Sequence, residues 1–558
     1  MAGDRPPGVS RRDLLAGGLA AGLGAAGLAA CGGSDRDPLS GSPTTEPGHR
    51  STTRSPSSPS RGGRPEAPEP RISVPPGSIT SEPPAPADYT SYVSRPDLTP
   101  PGVSLVSKAA WRASLPASTY LFAAPKNPLA ANPTSAPRGT HTFPAGAQPG
   151  LLIADLTGEP VWFKPLPGPR EIPFNFRVQE YKGRPVMTWF QGHLSGGHAA
   201  GGEYVLVDQS YKEIARVTET RYPNDLHEFI LTPEGTALHT SYEEGLTGRE
   251  GRPLTVGRAI EVDVASKELV FVWSCYPEVN PHLSFTPSRP DYFHINSIGL
   301  WPGKERNLLI SSRNTCAVYL IDRRRNRVAW RLGGRRSDFS MGPGVPFFFQ
   351  HDARPLADGS GLSLFDDASD PAFERVASGK VINLDHHARR ATLRHRLFHT
   401  DHEFWTPSQG NVQLLGNGGH VVGWGYLPYF SAFAPVPEDR LEAPMSMDGR
   451  FPKGADSYRT FLFNWTGHPP ASELRTVVRR VAGTGRFRVW VSWNGATEVK
   501  AWHVHAGRSH DSARLVATVP KRGFETVIDV DREGAEAFAV FAVDGAGRRL
   551  GRVEAAAT

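Results

Sequence analysis

One strand pattern, repeated five times, limits this chain more than any other feature. Three histidine motifs, DLHEF at His227, FHINS at His294 and FQHDAR at His351, are each followed by apolar residues, a turn glycine eight or nine positions on (Gly235, Gly303, Gly359) and a second apolar strand (TALHTSY, NLLISSR, LSLFD). Strand, tight turn, strand is the order of a β-meander. FRVQEYKGRPVMTWF fits the same frame through Gly183, with Asn175 in the histidine position, and NVQLLGNGGHVVGWG puts Gly410 or Asn411 there. Successive copies lie 52, 67, 57 and about 60 residues apart, and outer stretches such as AIEVDVASKELVFVWS and AVYLIDRRRNRVAWRLGG bring each unit to four strands. Four antiparallel strands per unit make a propeller blade. LLIADLTGEPVWFKPL near the start and SYRTFLFNW at 457–465 are expected to pair as a sixth blade and close the ring from both ends. Innermost strands of a propeller line one channel, so the three histidines are expected to face one small volume.

The chain's beginning carries a different signal. SRRDLL at 10–15 is a twin-arginine motif followed by a glycine- and alanine-rich apolar run that ends in LAAC at 28–31. This reads as an exported lipoprotein signal over residues 1–31, with Cys31 lipidated and the protein held at the outer face of the cell membrane. The apolar run, about 17 residues, is short of the ~20 that a membrane crossing needs. Residues 32–88 are rich in Pro, Ser, Thr, Gly and charge, cannot bury enough surface to offset folding entropy, and are expected to be a disordered tether. The propeller is expected over 89–470.

After WTGHPP at 465–470 the pattern shortens. RFRVWVSW, with Phe487, Val489, Val491 and Trp493 on one face, is followed by an Asn494-Gly495 turn and then by EVKAWHVH, ETVIDV and EAFAVFAVDGAG. Residues 471–558 therefore suit a β-sandwich of immunoglobulin or fibronectin type III kind, with His503 and His505 on an exposed strand face. The fold expected overall is all-β, a six-bladed propeller followed by this sandwich. A net charge of +6 over 558 residues is small, and the arginine runs at 323–325 and 335–336 fall on outer turns, which argues against a nucleic-acid surface. Cys275 and Cys316 sit in neighbouring blades; an oxidising compartment permits a bridge, and two buried thiols fit equally.

Chemistry follows from what surrounds the histidines. Asn296, two residues after His294, is expected on the same strand face, and Arg313 in SSRN stands at the far end of the next strand. A guanidinium with amide and imidazole donors suits a tetrahedral oxyanion, and imidazole can act as nucleophile, acid or base. Two other readings stay open: a metal held by three imidazoles, against which the charge of Arg313 argues, and a non-enzymatic cell-surface binder of an anionic ligand. Trp189, Tyr242, Tyr292, Trp424 and Tyr429 are candidates to stack an aryl ring.

LHEF, YFHINS, SSRN with its VYLID strand, GGRRSDF, FQHDAR and LFDD, together with the export signal, resemble the bacterial arylsulfotransferase family from about residue 96 to 465. That resemblance implies a six-bladed propeller that moves a sulfuryl group from a phenolic sulfate ester to a phenol, by a ping-pong route through a sulfohistidine. It implies no nucleotide sulfate donor, cofactor or metal. His351 matches the histidine that becomes sulfated. His227 and His294 take the acid/base and oxyanion parts, while Asn296 and Arg313 match the sulfate contacts. Asp352 after the nucleophile and Arg354 beyond it depart from the family's pattern, with Arg354 expected to pair with Asp352. The C-terminal sandwich is a further departure, so the dimer of the periplasmic members is not carried over.

Overall fold

The structure, a computed structural model, describes residues 74–127, 142–168, 171–195, 197–218, 221–248, 251–369, 376–437 and 440–558. The expected signal at 1–31, Cys31 and most of the tether at 32–88 lie outside the described residues. What is described is all-β, with one short α-helix, Ala109–Ala113, and two 3₁₀ turns, Pro281–Leu283 and Ala471–Glu473. No helix among the described residues is long and apolar enough to cross a membrane.

The repeats of the sequence become antiparallel sheets. FRVQEYKGRPVMTWF forms Ile172–Tyr181 and Arg184–Ser195, joined by His198–Val207 and Glu213–Val217 in one sheet. Phe229–Leu231, Thr236–Thr247, Pro253–Asp263 and Leu269–Ser274 make the next, and Ile295–Leu300, Leu308–Ser312, Ala317–Asp322 and Arg327–Gly333 the third. In the fourth, His351–Pro355, Gly361–Asp366, Ser378–Asp385 and Arg390–Leu397 are extended by a parallel pairing to Ser340–Met341. A fifth runs from Asn411–Leu414 through His420–Gly423, Tyr429–Phe433 and Met445–Arg450 to Ser104–Ser107. The sixth sheet draws on both ends of the chain. Thr460–Asn464 pairs with Thr119–Ala123, which pairs in turn with Gly150–Ala154 and then Pro160–Pro165. The two segments expected to meet there share one sheet, but Thr119–Ala123, which the repeat pattern does not reveal, lies between them.

Neighbouring sheets are stitched at their first strands by amides. Asn175 Nδ2 donates to the carbonyls of Leu226 (2.6 Å) and His227 (2.9 Å), Asn296 Nδ2 to Gln350 O (2.7 Å) and Asn411 Nδ2 to Thr460 O (2.9 Å). Asp352 makes the corresponding contact as an acceptor, from Val412 N at 3.3 Å. These ties make Asn175, Asn296, Asp352 and Asn411 equivalents. His351 therefore precedes its equivalent by one residue and His294 by two. The register shift between Ile295 and Ser297, together with φ +56° at His294, absorbs that offset.

Residues 474–556 form two further antiparallel sheets around one core that includes Phe487, Val489, Val491 and Trp493, the face expected inward. The turn at Asn494 and Gly495 carries the chain from one of these sheets to the other. It also docks on the sixth sheet: Phe163 N donates to Asn494 Oδ1 and Asn494 Nδ2 to Phe163 O, both at 2.9 Å. His503 and His505 are partly buried, and His505 lies against Phe541. Cys275 and Cys316 are buried free thiols, not a bridge. Cys275 accepts from Tyr292 Oη and Cys316 from the amide of Phe349.

Candidate functional site

Each of the three motif histidines turns its Nδ1 onto a carboxylate. His227 Nδ1 is 2.7 Å from Asp225 Oδ2, His294 Nδ1 is 2.6 Å from Asp291 Oδ2, and His351 Nδ1 meets Asp367 Oδ2. DLHEF, DYFHINS and LFDD contain those aspartates, but nothing in the strand pattern gives them a part. A carboxylate on Nδ1 fixes the tautomer and leaves Nε2 for chemistry.

His351 is the best defined. Its Nε2 accepts a hydrogen bond from the backbone amide of Gln409 at 3.2 Å. Since Nε2 accepts, the proton of a neutral ring sits on Nδ1 and points at Asp367. Burial, then Arg313, His294, His227 and Arg459, hold the imidazole well below its ordinary value. Burial and the neighbouring Asp366 push the Asp367 carboxyl up against the pull of Arg313. For the pair, the hydrogen-bond pattern decides: a neutral His351 with Nδ1–H donated to Asp367. Gln409 is held in turn by a buried triangle. Lys126 Nζ donates to Gln409 Oε1 (3.1 Å) and pairs with Asp456 Oδ1 (2.8 Å), while Gln409 Nε2 donates to Asp456 Oδ2 (3.0 Å).

Arg313 sits beside this pair. Its guanidinium lies over the Phe349 ring, 4.8 Å from the centroid, and donates to Pro407 O (2.8 Å), Asn314 Oδ1 (3.1 Å) and Ser369 Oγ (3.4 Å). Asn296, fully buried, spends one amide hydrogen on Gln350 O, and its Oδ1 has no hydrogen-bond partner.

His227 and His294 stand edge to face with ring centroids 4.7 Å apart. Burial holds His294 down to about 4 even though Asp291 opposes it. Beside them is a histidine outside the repeat pattern, His198, whose ring centroid is 5.1 Å from His294 and 6.0 Å from His227. Its Nε2 lies 3.2 Å from the Asp291 oxygen that His294 also uses. Of the five aromatics proposed for an aryl ring, Tyr242 reaches this group, 3.9 Å from His198 and 5.8 Å from His227. Trp189, Tyr292 and Trp424 are buried, with their polar atoms on Gln191, Val279 and Ser431, and Tyr429 packs on Phe404.

Two residue trios have ligand atoms close enough to suggest a metal, His198–Asp291–His294 and His198–Asp225–His227. The distances favour protons. Donors 2.0–2.1 Å from a tetrahedral ion stand about 3.3 Å apart, whereas the Asp–His contacts are 2.6 and 2.7 Å, ordinary hydrogen bonds. Burial opposes ionisation of Asp225 and Asp291. His227 and His198 overcome it for Asp225, and His294 and His198 for Asp291, so both carboxyls titrate far below the usual range.

Beneath the histidines lies an ion network. Arg459, fully buried, donates to Asn175 Oδ1 (2.7 Å), Glu228 Oε1 (3.1 Å) and Asn296 O (2.8 Å), and its Nε is 3.1 Å from Asp352 Oδ1. Arg354 pairs with Asp352 as expected, through Nε at 2.9 Å and Nη2 at 2.6 Å, and it also reaches Glu228. Arg177 completes the set, 3.4 Å from Glu228.

The model of the Arylsulfotransferase (ASST) family matches residues 177–433. None of the curated proteins matches the chain. Among solved structures, it is similar to a protein of unknown function from Bacteroides caccae (13% identity, 62% of this chain and 98% of that chain, TM-score 0.33). It is also similar to one of unknown function from Dyadobacter fermentans (11%, 68% and 100%, TM-score 0.34) and to a catalytically inactive virginiamycin B lyase from Staphylococcus aureus with quinupristin (9%, 63% and 99%, TM-score 0.31).

Proposed function

Through residues 177–433 this chain belongs to the arylsulfotransferase family, and on that premise we propose that it moves a sulfuryl group from a phenolic sulfate ester to a phenolic acceptor by way of a sulfohistidine at His351. The family implies sulfotransferase activity; the route and the substrates are our reading. The six sheets of residues 104–464 act as blades of a propeller with the histidines at one end of its channel, and residues 471–558 form a sandwich beside it.

One observation carries the reading: His351 is a neutral imidazole with its Nε2 lone pair presented, held by Asp367 on one side and Gln409 N–H on the other. The incoming sulfur competes with that amide for the lone pair, and at 3.2 Å the amide is at the weak end of hydrogen bonding. Nε2 attacks sulfur and the aryl oxygen leaves. Arg313 and the remaining amide hydrogen of Asn296 hold the sulfuryl oxygens, and a fixed positive charge beside the developing negative charge lowers the barrier without solvent reorganisation. His227 and His294 stand beside the sulfuryl oxygens as oxyanion partners. The acceptor phenol then attacks the sulfohistidine in the reverse sense. On this reading the protein is exported by the twin-arginine route and held at the outer face of the cell membrane through Cys31.

Release of nitrophenol from 4-nitrophenyl sulfate, with and without added phenol, tests this. Release that depends on phenol, yields phenyl sulfate and disappears in His351→Ala is the expected result. Equal release without phenol makes water the acceptor. A chelator that abolishes release transfers the site to the metal reading, and ester binding without turnover transfers it to the binder reading.

A further inference from the structure

His198 has no counterpart in the repeats, yet its ring lies against His227, His294 and Tyr242. It opens the strand His198–Val207 and is 6% exposed. Its Nε2 faces Asp291 Oδ2 at 3.2 Å, and its Nδ1 is buried without a hydrogen-bond partner. A buried polar nitrogen left unpaired is costly, an arrangement that makes sense where a ligand supplies the missing partner. His227 and His294 spend Nδ1 on Asp225 and Asp291, and His351 is committed as nucleophile.

We propose that His198 is the proton donor of the reaction, giving its Nδ1 hydrogen to the aryl oxygen as that oxygen leaves sulfur. The assignment rests on the sulfuryl-transfer reading above. As the His351 Nε2 pair forms the N–S bond, the S–O(aryl) bond breaks and its electrons stay on the aryl oxygen. That oxygen takes the Nδ1 proton and His198 is left neutral. In the second half the acceptor phenol returns a proton to Nδ1 while its oxygen forms the new S–O bond and the N–S bond breaks. The proton count closes over one cycle, and no other reactant is needed.

Electrostatics agrees with the geometry. Burial opposes a charge on His198, but Asp291, with smaller help from Asp225 and Glu244, overcomes it and raises the group above its ordinary value. The other groups facing it are His294, His227 and the Tyr242 ring. His294, held down to about 4, is neutral near neutrality, and its one ring hydrogen is engaged by Asp291.

A leaving-group series separates a proton donor from a merely structural residue. Phenyl sulfate leaves as a strongly basic phenolate and needs the proton; 4-nitrophenyl sulfate leaves as a stable anion and needs it little. His198→Gln is expected to lower kcat for phenyl sulfate by about 10²-fold or more, in the range of general acid catalysis, and for 4-nitrophenyl sulfate by less than about tenfold. Equal losses on the two esters overturn the assignment. If the variant does not fold, the unaltered protein still decides: kcat for phenyl sulfate should fall as pH rises and deprotonates the donor, while kcat for the nitrophenyl ester stays level there. The same alkaline fall for both esters overturns the assignment. Failure of the unaltered protein to turn over either ester is a different result, which removes the sulfuryl-transfer reading and this assignment with it.

Discussion

At the scale of the residue, the state of His351 depends on its neighbours more than on the imidazole itself. Attack needs the neutral ring, so protonation removes activity as pH falls. Anything that lowers the ring's pKa moves that loss to more acid pH. Burial is the larger cause and Arg313 the next. The acid limb of kcat/KM is therefore expected below the ordinary imidazole value of about 6.5. Arg313→Gln removes the nearer positive charge and should carry the limb to higher pH, as well as lowering the rate at neutral pH by about 10²- to 10³-fold through lost transition-state stabilisation. A pH profile with 4-nitrophenyl sulfate reads both effects; an acid limb that stays in place shows that burial alone sets the ring. The same profile bears on Asp367. Without the carboxylate the proton is free to move to Nε2, which is the wrong tautomer for attack, and Asp367→Asn should cost about 10⁴-fold where tautomer control dominates.

The element that presents the nucleophile's partner is the turn into the strand Asn411–Leu414. Gln409 and Gly410 both have positive φ, +73° and +98°, and a Cβ on Gly410 would stand 2.5 Å from Phe365 Cδ1 and 2.9 Å from Gly423 O. Gly410→Ala should therefore shift the turn and drag the Gln409 amide away from His351. The expected losses are about 1–3 kcal/mol of stability from backbone strain and a fall in kcat larger than that of KM, measured by urea unfolding and by nitrophenol release. Full activity in this variant would mean that the Gln409 amide does not orient the ring. This turn also shows what the sequence reveals and what it hides. The strand pattern locates Gly410 or Asn411 at the right place, and the histidine motifs are legible because they recur in phase with turn glycines. Asp225, Asp291 and Asp367 are visible in the motifs but have no periodicity to mark them. His198 and Gln409 belong to single, unrepeated segments, so only the folded chain brings them to the site. The offset of His294 is hidden for the opposite reason: a bulge shifts the register without changing the spacing of strand and turn.

Across the whole molecule, four of the six sheets meet in the ion network under the histidines. Arg177, Glu228, Asp352 with Arg354, and Arg459 each come from a different sheet or from the loop that enters it. Burial works against ionising Glu228, but Arg354, Arg459 and Arg177 outweigh it and hold the carboxyl below its ordinary value. With three guanidiniums against two carboxylates, removing one carboxylate leaves buried positive charge uncompensated at the point where the sheets converge. Replacing a buried pair by apolar groups can be neutral, but deleting one partner typically costs about 3–5 kcal/mol. Glu228→Gln keeps the shape and deletes only the charge, so it should lower the unfolding free energy, read from urea unfolding, by an amount in that range. The histidines above should loosen as well, because Arg459 also holds Asn175 and the carbonyl of Asn296, the residues that stitch neighbouring sheets. The decisive comparison is with Glu228→Gln combined with Arg354→Met, which restores the charge balance. If net charge is what the network needs, the double variant, which returns it to the original excess of one guanidinium, recovers stability lost in the single one. If the single change costs less than about 1 kcal/mol, the sheets are held together by their amide stitches and apolar faces, and the ions contribute only to the electrostatic field at His351.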